Sequence, residues 1–346
     1  MNQTGISSYT EPQLAELVKE MGQPAFRAKQ LFKWLHEKQA RSFSAMTNQP
    51  KAFLAALEER FFIETLETER RQQSKDGTVK YLFRLPDVNC IETVLMRYSY
   101  GNTVCVSTQV GCRMGCRFCA STQGGRVRNL TAGEIANEVY AAARDTGERV
   151  SHIVLMGIGE PLDNFDHVMD FLSIISSPNG VNIGMRNISL STCGLVPMIY
   201  KLAERHLGLT LSVSLHAPTD EMRSSMMPVN DVYPVEQLIR ACRDYQQETG
   251  RRVSFEYSMV NGVNDSPQTA RRLAQLIKGM GAHVNLIPIN PVDGSPYSAT
   301  DAANVKRFQT LLTELGVNAT VRRRLGTDIS AACGQLRREA KGGTTA

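Results

Sequence analysis

Three cysteines in the stretch CVSTQVGCRMGCRFC, residues 105–119, stand in the order C-x3-C-x2-C at Cys112, Cys116 and Cys119. A closed structural zinc or a fully ligated iron-sulfur cluster takes four protein ligands, whereas a centre that performs chemistry keeps one position open. No fourth cysteine follows nearby. The spacing predicts a 4Fe-4S cluster with one exposed iron; a zinc completed by a distant histidine, or three plain buried cysteines, are the alternatives.

Other residue types could serve such a centre. MGIGEP (156–161) places Gly159 where a ligand can approach the backbone and Glu160 where a carboxylate can accept from an ammonium, although a turn before a helix has the same composition. Ser191, Ser214 to His216 and Asn290 stand in SLST, SVSLHAP and IPINP. A lone His216 would by itself read as a structural histidine. Of the eight cysteines, Cys90, Cys193 and Cys242 lack a partner pattern and read as small buried hydrophobes.

Elements at the right places must hold these side chains. Helical periodicity covers 11–20, 26–39 and 51–62, the second with Arg27, Lys29, Lys33 and Lys38 on a basic side. Segments 79–85 and 90–98 read as a β-hairpin. Strands then alternate with helices: 103–108, 152–157, 187–191, 209–215, 252–259 and 283–289 against 132–144, 165–176, 195–206, 234–248, 267–280 and 302–315. Thr131 and Glu134 form a capping box at the first of these helices. Six β/α units predict a parallel sheet, and Gly159, Glu160, Ser191, His216 and Asn290 all fall at or just past strand C-termini, where α/β barrels gather their sites. Six units are too few for eight-stranded closure, so the expected core is a partial (βα)6 barrel.

Apolar content of 42% and charged content of 21% over 346 residues describe an ordinary globular protein. No apolar run approaches the ~18 residues of a membrane span, and the first twenty residues lack a signal-peptide pattern, so a cytoplasmic protein without a disulfide framework is expected. The net charge of +5 establishes no nucleic-acid partner, but Arg322 to Arg324, Arg337 and Arg338 cluster near one end and Arg27 to Arg41 near the other. A solvated basic face is the alternative.

The cysteine spacing, with Phe118 before the last ligand, resembles the radical S-adenosylmethionine (SAM) enzymes. Further blocks are FRAKQLFKWLH, IETV, RNLTAGEI, MGIGEPLDN, SVSLHAPTDEMR, NLIPINP and DISAACGQL. Together they resemble the RlmN/Cfr group of RNA adenine methyltransferases over nearly the whole chain. Pro161 and NLIPINP are similar to the RlmN branch, whereas Ser330 stands where the family more often has Asp.

The resemblance implies a partial radical SAM barrel over 98–328, a helical RNA-binding module over 1–75, a β-hairpin extension over 76–97 and a C-terminal segment over 329–346. It implies that Cys112, Cys116 and Cys119 bind the cluster and that Gly159, Glu160, Ser191, Ser214, Leu215, His216 and Asn290 bind SAM, two molecules per turnover. Cys333 would carry the methyl group as S-methylcysteine, Cys105 would resolve the RNA adduct through a transient disulfide with Cys333, and Glu92 would accept the proton from carbon 2 of adenine. The implied substrates are 23S rRNA near the peptidyl-transferase centre and the tRNA adenine immediately 3' of the anticodon. An electron donor such as flavodoxin and a monomeric state are expected. The rivals are methylation at carbon 8, and a non-catalytic RNA-binding metal protein, which would need neither Cys105 nor Cys333.

Overall fold

A computed structural model describes residues 3–289, 297–326, 328 and 329. Asn290 and Cys333 lie outside the described residues. At the start, β1 (Thr4–Gly5) precedes α1 (Glu11–Glu20), which opens on a Thr10–Gln13 capping box. Then come α2 (Phe26–His36), α3 (Lys51–Arg60) and β2 (Phe61–Phe62), which pairs in parallel with β1. Ala28, Leu31, Phe32 and Leu35 form the buried stripe of α2 at helical spacing, leaving Lys29 exposed and Lys33 half-buried on the other side.

Four antiparallel strands follow: β3 (Glu67–Gln73), β4 (Val79–Arg84), β5 (Cys90–Tyr98) and β6 (Gly101–Cys105). A small antiparallel pair, β7 (Gln109–Gly111) and β8 (Arg126–Asn129), brackets the metal-motif cysteines. The β/α series then runs α4 (Ala132–Thr146), β9 (Val150–Leu155), α5 (Phe165–Ser176), β10 (Ile188–Thr192), α6 (Val196–Ala203) and β11 (Thr210–Ser214). It continues with α7 (Asp220–Met226), α8 (Val235–Thr249), β12 (Val253–Met259), α9 (Pro267–Leu276), β13 (His283–Pro288), α10 (Ala302–Glu314) and β14 (Asn318–Val321).

One ten-stranded sheet results, in the order β14-β13-β12-β11-β10-β9-β6-β5-β4-β3. From β6 to β14 all neighbours are parallel, as the alternation of strand and helix requires. This is the expected partial (βα)6 barrel, with β14 as a seventh parallel strand. Its core is continuous with that of the helical unit: Leu31 and Phe32 belong to the same buried cluster as Ile135, Tyr140 and Phe171. A polar joint supports that contact, because His36 Nδ1 lies 3.0 Å from the hydroxyl of Tyr140 on α4.

The hairpin of 79–98 is present but does not stand alone, since β3 pairs with its first strand and β6 with its second. The all-polar ETERRQQ of β3 has no alternation, being exposed along most of its length, and so gives no strand signal. The strand expected over 103–108 ends at Cys105. Beyond it the Ser107 N–H donates to both carboxylate oxygens of Glu138 on α4, at 3.1 and 3.0 Å, rather than to a neighbouring strand. The capping box of α4 forms as expected: Glu134 N–H donates to Thr131 Oγ1 (3.1 Å) and Thr131 N–H to Glu134 Oε2 (2.9 Å).

Candidate active site

The C-terminal ends of the parallel strands surround a cavity of about 900 Å3. Cys105, Cys112, Cys116, Cys119, Gly159, Glu160, Ser191, Ser214 and His216 all line it. Leu215 is fully buried beside this wall, directing its backbone carbonyl to Arg223 Nε at 3.1 Å.

Local geometry fixes the cysteine loop. Cys112 N–H donates to Gly125 O (3.1 Å), tying the loop to the start of β8, and Arg117 N–H donates to Met226 O (2.9 Å), tying it to α7. Phe118 turns inward and meets the His216 ring edge to face, with centroids 4.9 Å apart. Burial pushes the Cys112 thiol up to about 12, and pushes Cys116 further in the same direction. Bare thiols here are therefore protonated at neutral pH, and a metal centre has to displace those protons on binding. Among the described residues no group of three His, Cys, Asp or Glu side chains is drawn together closely enough to hold a metal ion as the chain stands. Three thiols spread around one open cavity suit a multi-iron cluster that leaves one iron accessible.

Behind the loop, backbone comes close to backbone. A side chain at Gly157 would place its Cβ 2.5 Å from Val106 O, and one at Gly159 (φ +113°) would lie 2.7 Å from Gln109 Cβ. The close approach aims Glu160, whose Oε1 accepts from Leu162 N–H (3.1 Å) and Oε2 from Cys193 N–H (2.7 Å). Burial raises the pKa of this carboxyl, so a cation arriving in the cavity would be favoured as its partner. His216 sits at φ +57°, and its Nδ1 accepts from Ser258 N–H at 2.9 Å. Burial lowers its pKa to about 3, so the ring is neutral and carries its proton on Nε2, a donor for a ligand.

Cys105 and Glu92 share one face of the sheet. Val94 pairs with Cys105, and Glu92 lies two residues before Val94 on the same strand. The Glu92 carboxylate is buried and pairs with the buried ammonium of Lys80 at 2.9 Å. A single hydroxyl connects this strand to the glycine loop: Ser107 Oγ donates to Glu92 O (2.7 Å) and accepts from Ile158 N–H (3.1 Å). No disulfide forms among the described cysteines.

Several participants escape a reading by motif. Cys193 lines the cavity beside Cys116 rather than filling a remote core, and Cys90 is only half-buried; Cys242 is the inert core cysteine expected. Arg322, Arg323 and Arg324 stand at the mouth of the cavity, Arg322 half-buried and the other two exposed. Lys80 is signalled only by a charge inside the apolar strand VKYLFR, and Arg223 only by its place in SVSLHAPTDEMR.

Residues 106–274 match the model of the Radical SAM superfamily, and residues 4–63 match that of the ribosomal RNA large subunit methyltransferase N-terminal domain. A probable dual-specificity RNA methyltransferase RlmN from Clostridium botulinum is 50% identical over 334 residues, covering 96% of each chain. Its counterpart from Clostridium perfringens is 51% identical over the same span and coverage. The crystal structure of a radical SAM methyltransferase from Sphaerobacter thermophilus is similar with a TM-score of 0.91 and 46% identity, covering 96% of this chain and 98% of that one.

Proposed function

We propose that this chain, which belongs to the RlmN family of radical SAM RNA methyltransferases, methylates carbon 2 of adenine in both 23S rRNA and tRNA. The observation that carries the reading is the convergence of three metal-motif cysteines, Cys105 and the Glu160–His216 wall on one cavity. Carbon 2 lies between two ring nitrogens and is too electron-poor to attack a sulfonium methyl. A carbon radical can add there.

Cys112, Cys116 and Cys119 would hold a 4Fe-4S cluster, which with SAM bound supplies a 5'-deoxyadenosyl radical. Glu160 would accept from the ammonium of SAM, while the hydroxyls of Ser191 and Ser214 and the Nε2–H of His216 line the same wall. Gly159, whose missing side chain lets the loop pack against Gln109, would bind SAM beside Glu160, and Leu215 and Asn290 complete the set. Cys333 would act as the nucleophile that first takes a methyl group from one SAM and later joins protein to RNA. Hydrogen abstraction from the Cys333 methyl would give the methylene radical that adds to carbon 2. Glu92 would take the carbon 2 proton as the adduct gives up its unpaired electron to a redox partner. The Cys105 thiolate would attack the Cys333 sulfur, forming the disulfide and breaking the sulfur–carbon bond while the released carbon takes up a proton to become the methyl group. A reductant, for which flavodoxin is a candidate, returns the disulfide to thiols and supplies the cluster's electron. The basic side of α2, with Lys29 exposed and Lys33 half-buried, would hold RNA through its phosphates. The enzyme is expected to act as a monomer in the cytoplasm, and no described helix is long and apolar enough to cross a membrane.

The test is incubation of anaerobically reconstituted protein with protein-free 23S rRNA or tRNA, SAM and a reductant, followed by nucleoside mass spectrometry. The expected product is 2-methyladenosine in both RNAs. A main product of 8-methyladenosine would overturn the regiochemistry, and an unmodified RNA would overturn the activity.

A further inference from the structure

Arg223, on α7, is the largest fully buried side chain among the described residues. Its guanidinium is surrounded by neutral acceptors: Nε donates to Leu215 O (3.1 Å), Nη1 to Asn230 Oδ1 (3.1 Å), and Nη2 to Cys193 O (2.6 Å) and Ser214 O (3.2 Å). No ion pair among the described residues includes it. A buried cation without a carboxylate is costly, because carbonyl dipoles offset only part of the lost hydration. Burial accordingly lowers the pKa of the group. An arginine nevertheless stays charged in proteins.

The charge lies behind the cysteine loop, one residue removed from it through Cys193. Cys193, whose carbonyl it binds, shares a small apolar cluster with Cys116, Met226 and Met227, and Met226 O accepts from Arg117 N–H at 2.9 Å. The buried Glu160 on the same wall acts in the opposite sense but faces the incoming ammonium. A 4Fe-4S core held by three thiolates has one net negative charge, and two after taking an electron. Nearby fixed charge therefore biases its reduction.

We infer that Arg223 is a positioning residue whose buried positive charge eases one-electron reduction of the cluster, while its fork holds the ends of β10 and β11 under the SAM-binding wall. This rests on the proposal that Cys112, Cys116 and Cys119 bind that cluster. The electron comes from a low-potential one-electron donor, and the added negative charge stays on the cluster beside the guanidinium. At an effective permittivity of about 20, a unit charge would change such an equilibrium by roughly tenfold if the separation were on the order of 10 Å.

The experiment is a redox titration of reconstituted parent, Arg223→Lys and Arg223→Gln proteins without SAM, followed by electron paramagnetic resonance, with iron and sulfide measured on each. At the parent's midpoint, where half of its clusters are reduced, the glutamine protein should have about a tenth reduced. The lysine protein, which keeps the charge, should stay near half. A loaded glutamine protein with an unchanged midpoint would overturn the inference and leave the cluster assignment intact. A parent without four irons and sulfides would instead sink the assignment beneath it. Should the glutamine protein fail to fold or load, the lysine protein decides, since a midpoint displaced about tenfold with the charge retained contradicts the electrostatic role.

Discussion

The joint between the helical unit and the barrel should come apart in mild acid, and His36 should account for a measurable share. Its ring is fully buried, Nδ1 meets the Tyr140 hydroxyl, and Nε2 has no partner among the described residues. Burial lowers its pKa from 6.5 to about 3. Folding therefore favours the neutral ring: this stabilisation is present in full above pH 6.5 and is lost as the pH falls towards 3. Each pH unit in that window costs the folded state about 1.4 kcal/mol, so between pH 7.5 and pH 5.0 the loss is about 2 kcal/mol. A His36→Gln protein lacks this titration but keeps a hydrogen-bonding group toward Tyr140. The assay is urea denaturation of the metal-free parent and variant at both pH values, followed by the fluorescence of Trp34, the chain's only tryptophan, which lies on α2. Other titrating groups are common to both proteins and cancel, His216 among them. The stability advantage of the parent over the variant should shrink by about 2 kcal/mol on acidification. A difference that stays constant would show that His36 titrates normally and that the joint is wet.

Three further outcomes test the site. Alanine at Cys112, Cys116 or Cys119 should abolish both the bound iron and SAM cleavage, read by absorbance and by 5'-deoxyadenosine release. Cys105→Ala should accumulate a covalent RNA adduct through Cys333, visible on a denaturing gel, whereas Cys333→Ala should give neither adduct nor product while retaining its iron. Glu160→Gln should weaken SAM binding by about tenfold or more, since a charge-assisted hydrogen bond contributes about 1.5–3 kcal/mol; unchanged affinity by equilibrium dialysis would place the ammonium elsewhere.

Much of this architecture was legible because the chain obeys local rules. The periods of α4, α5 and α8, the Thr131–Glu134 cap and the apolar strands β9 to β13 each announce themselves, and their alternation entails a parallel sheet. Four of the five expected rim residues, Gly159, Glu160, Ser191 and His216, line the cavity as their place at strand ends suggests, and the fifth, Asn290, lies outside the described residues. What stayed hidden was long-range. Glu138 is an ordinary residue of an amphipathic helix until the fold turns it onto Ser107 N–H and Thr93 Oγ1, the latter at 2.5 Å, which decides where β6 stops. Nor does local pattern reveal that Lys80 pairs with Glu92 across a strand, or that Cys193 arrives beside Cys116 from a unit about 75 residues on. Strand β3 failed for the opposite reason, since an exposed edge strand carries the composition of a loop.

The strand order has a consequence for biosynthesis. Apart from the β7–β8 pair, neighbours in the large sheet follow one another in the chain from β3 to β14 without a single insertion. As the polypeptide leaves the ribosome, each new strand finds its partner already outside, with only one open edge to be extended at a time. The first edge laid down is the charged ETERRQQ strand, which discourages pairing with another nascent chain. Vectorial growth of this kind needs no waiting for distant segments, and it brings the cysteine loop out between β6 and β9, before most of the wall that will enclose it.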